Sequence, residues 1–275
     1  MTRNEYITVV NEARAEIFNT PFEDIKPELF GLYSLVSASI LRYLSHYKNE
    51  EHYRLIQEIQ FNKNLALIDQ FHFDLLNELQ ISDPDNMLEK SVTSSQIFVT
   101  YHTGSYRMFI ALLVQRKIPF CIVTDESFID QQQELVNELH RRISQHLNQD
   151  YNQELEILKA QDPRLIFKLN ERLKNGISVV FYIDGNTGVA SDLKTNSNLL
   201  PIKFLDHFIN ARQGIALLAY LSKRPLVSAI AMRRPGLANS MDIKLEDDFL
   251  FTQTNRKEYV AVMTEKLYAR LDDFL

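Results

Sequence analysis

Two hydrophobic rhythms divide the chain. Over residues 4 to about 88, apolar positions recur at three- and four-residue spacing, as in Leu55, Ile56 and Ile59 and then Leu65, Ile68 and Phe71, the spacing that lines one face of a helix. Three or four helices are expected there. Asp83-Pro84-Asp85 ends the last of them or starts a short one, since proline disfavours a helical residue before it. Beyond this point short apolar runs alternate with helical stretches. Residues 96–101 predict a strand, and His102-Thr103-Gly104-Ser105 turns it into a helix over 106–116. Residues 120–124 predict a second strand, ending at Asp125-Glu126, before a polar helical region from about 130 to 158. A helix over 164–174, stopped by Gly176, leads to a strand over 178–183 with its terminus at Asp184-Gly185. A helix over 211–221 precedes a strand over 226–231 that ends at Met232-Arg233-Arg234. Residues 241–245 predict one more strand and 256–274 a final amphipathic helix.

Strands that are nearly all apolar and alternate with helices predict an α/β fold, a mainly parallel sheet covered by helices on both faces. A helical segment over 1–90 precedes an α/β core over 91–275, the two forming one compact domain. In such sheets ligands bind beyond the carboxyl ends of the strands. That gathers Tyr101-His102, Asp125-Glu126, Asp184-Gly185 and Arg233-Arg234 along one edge.

Composition narrows the function classes. The net charge is −6, so there is no basic excess to neutralise phosphates, and nucleic acid is excluded as an expected partner. Cys121 is the only cysteine; it forms no intrachain disulfide, builds no thiolate zinc site, reads as an inert core residue inside its strand, and fits a reducing, cytoplasmic setting. The first residues carry no signal-peptide core, and the uncharged stretch 29–41 is short of the ~20 residues that span a bilayer, so it reads as a buried or interfacial helix. His140 and His146 sit in a polar run with a spacing that does not align them on one helix side, which favours a solvated face over a metal site. No phosphate-binding Walker loop, dinucleotide fingerprint or Gly-x-Ser-x-Gly elbow is present, and Gly185-Asn186-Thr187-Gly188 is at most a weak phosphate-cradling turn.

His102 is the leading candidate for chemistry. It ends a strand and is followed at once by a Thr-Gly-Ser turn into a helix, which suits a general base beside oxyanion-binding amides near Gly104 to Tyr106. From Ile97 through His102 to Arg107, then Leu173-Lys174-Asn175-Gly176 into Val179 to Gly185, then Ile202 to His207, Gly214 to Ala219 and Pro225-Leu226-Val227, the chain resembles the lysophospholipid acyltransferase-like superfamily. Within it, the bacterial late acyltransferases of lipid A are most similar. The resemblance covers about residues 97–234. It implies an acyltransferase that moves an acyl group from a coenzyme A or acyl-carrier (phosphopantetheine) thioester to a hydroxyl or amine, with His102 as general base and no required cofactor or metal.

Where the family's His-x-x-x-x-Asp/Glu motif places its acid, this chain has Arg107. A cation cannot orient an imidazole as a carboxylate does. Asp125, Glu126 and Asp184 end neighbouring strands, and Asp184 ranks first as the replacement because its segment also matches the family; a helix cap or turn role is its alternative. Arg107 either binds a phosphate or carboxylate or forms a surface salt bridge. Gly104, Ser105, Arg107, Glu126, Gly185, Phe204 and Arg233 are the expected substrate contacts. The resemblance lacks the family's N-terminal membrane anchor, and the chain holds no tryptophan, so a soluble biosynthetic relative docking an acyl or peptidyl carrier is expected, with membrane contact at most peripheral. Two other readings stay open: a thioesterase-like hydrolase, and a non-catalytic acyl- or carrier-binding protein in which Arg107 marks a site retired from transfer. Tyr33, Leu35, Val36, Ile40 and Leu44 read as core by default, with covering an acyl tunnel or lying on a membrane as alternatives.

Overall fold

A computed structural model describes residues 2–25, 27, 30–70, 72–147, 155–184, 199–205, 207–234, 238–247 and 255–274. The described elements are, in order, α1 (Arg3–Phe18), α2 (Phe30–Tyr43), α3 (Asn49–Asp69), α4 (Asp74–Glu78), β1 (Gln80–Ser82), α5 (Met87–Lys90), β2 (Ile97–Thr100), α6 (Arg107–Gln115), β3 (Phe120–Thr124), α7 (Ile129–Leu147), β4 (Glu156–Lys159), α8 (Leu165–Lys174), β5 (Ser178–Tyr182), β6 (Leu199–Phe204), β7 (His207–Arg212), α9 (Gly214–Ser222), β8 (Leu226–Arg234), β9 (Ala238–Asp247) and α10 (Arg256–Asp272).

Seven strands form one sheet in the order β1-β9-β8-β2-β5-β3-β4. The five from β8 to β4 run parallel, while β9 is antiparallel to β8 and carries β1 alongside it. All four residues of β2 are buried, as the central strand of a sheet covered on both faces requires. Phe98, Ile122 and Val180 pack with α6 and α7 on one face, where Tyr6 of α1 and Leu65 of α3 join the same core. Ile97, Val99, Cys121 and Val179 pack on the other face with Leu169 of α8, Leu218 of α9 and Leu267 of α10. The N-terminal segment thus supplies a covering layer, together with edge strand β1.

Helix ends follow local chemistry. Thr2 and Glu5 cap α1 reciprocally, and Asn255 accepts the Glu258 amide to start α10. Burial raises the Cys121 thiol to about 12, which leaves it an unreactive core group.

Three predicted elements differ. Within the polar run expected to stay helical to about 158, Ile129–Leu147 is helix α7, residues 148–154 lie outside the described residues, and Glu156–Lys159 is instead edge strand β4. Ala211 and Arg212, expected to begin a helix, close the β6–β7 hairpin, so α9 starts at Gly214. The last strand includes Ala238, Asn239 and Ser240, ahead of the expected 241, because they pair with Arg234, Arg233 and Met232 of β8. Of the five candidates on α2 and just after it, Ile40 alone is buried, and Leu35 is 70% exposed. Among the described residues no helix is long and apolar enough to cross a membrane.

His140 was expected on a solvated face of α7, yet it is largely withdrawn from water, and its Nε2 has no partner among the described residues. Burial lowers its pKa from the ordinary value of about 6.5. The unfolded chain therefore takes up that proton first, and stability falls as the pH drops below about 6.5 and on through the lowered folded value. Thermal melts at about pH 7.5 and about pH 5.5 are expected to show a smaller acid-induced loss for His140→Leu than for wild type; equal losses would contradict this.

Candidate active site

At the carboxyl edge of the sheet, β2 and β5 finish side by side with Thr100 opposite Tyr182. The second residue beyond each is His102 and Asp184. Asp184 accepts twice from His102: Oδ2 takes the backbone N–H at 2.8 Å, and Oδ1 takes the ring Nδ1–H at 2.8 Å. An ionised carboxylate only accepts, so in the neutral ring Nδ1 carries the proton and Nε2 keeps its lone pair. The ring stacks on Tyr182 with centroids 4.8 Å apart and is met edge-on by Tyr106, also at 4.8 Å. Burial holds the Tyr182 phenol well above its ordinary range, so the ring beneath His102 stays uncharged. The His102 side chain is 44% exposed and that of Asp184 23%, with the imidazole toward the opening and the carboxylate behind it.

His102 lines a cavity of about 540 Å³ at the ends of β2, β5, β3 and β4. Its walls are mostly apolar, with Ile122, Val123, Leu165, Ile166, Phe181 and Ile215 contributing. Tyr106 and Arg107 stand in the same lining. This is the size and composition of a site for a largely apolar ligand with a few oriented polar groups.

Of the expected contacts, His102 and Arg107 line the cavity, and Asp184 orients His102 from outside the lining. Ser105 does not line it. The Ser105 hydroxyl is buried, donates to Asp69 Oδ2 and accepts from Arg233 Nη2 at 2.6 Å. Arg233 also departs from its expected role, because Nη2 is spent on Asp69 at 2.8 Å and the side chain is only 11% exposed. Tyr6 donates to the other Asp69 oxygen at 2.7 Å, so α1 and α3 brace the turn that carries His102. Glu126 points away to solvent, where it pairs with Lys159, while its neighbour Asp125 faces the cavity. Phe204 packs edge-on against Tyr268 at 6.2 Å, outside the cavity lining. His207 meets the Tyr43 ring. Gly185, Asp206 and the Gly185 to Gly188 turn lie outside the described residues.

Gly104 has a backbone role. Its φ is +50°, and an added Cβ would lie 2.7 Å from the Ala231 carbonyl oxygen on β8. Both the left-handed backbone and the contact oppose any side chain. Gly104→Ala is expected to lose about 2–4 kcal/mol in denaturant unfolding. A loss within about 0.5 kcal/mol of wild type would contradict the close approach.

Sequence reasoning missed Tyr182, Tyr106 and Asp69. Tyr182 was signalled by ending β5 two residues before Asp184. Asp69 was signalled by standing four residues after Leu65 and three after Ala66, on the helix face those apolar residues bury. Comparison with known proteins gives no match, either to a family model or to a curated protein.

Proposed function

We propose that this protein is an acyltransferase of the lysophospholipid acyltransferase-like kind, moving an acyl group from a coenzyme A or acyl-carrier thioester to a hydroxyl or amine acceptor. The observation that carries this reading is the Asp184–His102 pair at the mouth of an apolar cavity. Asp184 takes over the orienting role that Arg107 cannot fill, which supports a working site over a retired one. His102 Nε2 removes the acceptor proton as its oxygen or nitrogen attacks the thioester carbonyl. The tetrahedral oxyanion is stabilised by amides near Gly104 to Tyr106. Collapse breaks the carbon–sulfur bond, and the imidazolium returns its proton to the departing thiolate. The cavity holds the acyl chain away from water.

Wild type and His102→Ala are to be incubated with a panel of acyl-CoA and acyl-carrier thioesters, with and without hydroxyl and amine acceptors, and the products followed by mass spectrometry. Acyl-acceptor product formed by wild type alone is the expected result. Free fatty acid as sole product would replace transfer by hydrolysis. Binding without turnover would replace both by a non-catalytic acyl- or carrier-binding role.

A further inference from the structure

We propose that Arg107 binds an anionic group, carboxylate or phosphate, carried by the acyl acceptor. The acceptor assignment rests on the acyl-transfer reading, whereas the anion site rests on Arg107 itself. Its guanidinium is part-buried at the start of α6 and lines the same cavity as His102. Its partners are neutral: Nε donates to Tyr106 Oη at 3.2 Å, and Nη1 donates to Gln70 Oε1 at 3.4 Å. Among the described residues no carboxylate pairs with it, and Nη2 has no hydrogen-bond partner. A guanidinium drawn partly out of water without a counter-charge is costly, and its planar fork matches a carboxylate or phosphate. The positive end of the α6 dipole adds to the same preference.

Two features orient the anion. On its other side Arg107 borders a shallow cavity with Asp130, Glu134 and Glu138, where only Arg141 beside Arg107 offsets the three carboxylates, whereas in the His102 cavity Arg107 and Arg212 balance Asp125 and Asp162. The favourable approach is therefore from the His102 side. Tyr106 touches both groups, edge-on to the His102 ring and 5.4 Å from the Arg107 Cζ to its ring centroid. An anion on Arg107 thus belongs to the molecule whose nucleophile reaches Nε2. The phosphates of a CoA or carrier thioester sit at the far end of the pantetheine arm from the reacting carbonyl, which makes the acceptor the better source.

The test combines direct binding with kinetics. Wild type and Arg107→Gln are titrated calorimetrically with inorganic phosphate and with acetate, and a loss of affinity of about tenfold or more is expected in the variant. Equal binding by both proteins would overturn the anion site. In turnover, the KM for an anionic acceptor is expected to rise about tenfold or more in Arg107→Gln, while the KM for a matched neutral acceptor stays put. A rise instead in the KM for acyl-CoA, absent with a phosphate-free N-acetylcysteamine thioester, would assign the anion to the donor and overturn the proposal. Should wild type turn over no thioester, Arg107-dependent binding in the titration upholds the anion site while the acyl-transfer reading falls.

Discussion

Removing the His102 imidazole is expected to lower kcat for thioester turnover by about 10²–10⁴-fold, the range general-base catalysis supplies. The KM for the thioester should change little, because the cavity walls of β3, β5, α8 and α9 stay in place. Asp184→Asn is expected to fall in the same range, since the carboxamide keeps the shape but no longer holds Nδ1–H and stabilises the imidazolium. Steady-state kinetics with the best thioester of the panel decide this. Unchanged kcat with a raised KM would reduce His102 to a binding residue.

The second large effect is on stability. Asp69 is fully buried and receives hydrogen bonds from Tyr6, Ser105 and Arg233, while Arg233 Nε and Nη1 have no partner among the described residues. Asp69→Ala leaves the guanidinium buried without the carboxylate it pairs with, and a loss of about 3–5 kcal/mol is expected in urea unfolding. The double variant Asp69→Leu/Arg233→Leu removes both charges and is expected to lose distinctly less, because replacing a buried ion pair by apolar groups often comes close to neutral. A double loss equal to the sum of the Asp69→Ala and Arg233→Leu losses would show that the two charges do not depend on each other. Since Ser105 lies three residues after His102, Asp69→Ala should also slow turnover by loosening the turn that holds the base.

The central parallel strands were legible because each is a nearly unbroken apolar run between helix-spaced segments. β1, β4 and the β6–β7 hairpin were not, since they lie at the sheet edge or off the main sheet and mix polar with apolar residues too briefly for a period to emerge. The His102–Asp184 pairing was within reach for a similar reason: both residues close neighbouring strands, so strand register alone brings them together. Ser105 and Arg233 were misplaced because a polar residue near a strand end reads as facing the ligand. Their true partner, Asp69, is 36 residues from Ser105 and 164 from Arg233, and only packing of α3 onto the sheet reveals it. Gly104 was placed in the right turn, but the approach of the Ala231 carbonyl that forbids a side chain comes from β8 and has no local sequence signal.

The central claim is that His102 and Asp184 act as one catalytic unit on an acyl thioester. A double-mutant cycle in kcat/KM over wild type, His102→Ala, Asp184→Asn and the double variant tests it most directly. The account predicts that the double variant is no slower than His102→Ala alone, because Asp184 works only through the imidazole. Losses that multiply would mean that Asp184 acts independently of His102, and two active single variants would remove the pair from the chemistry.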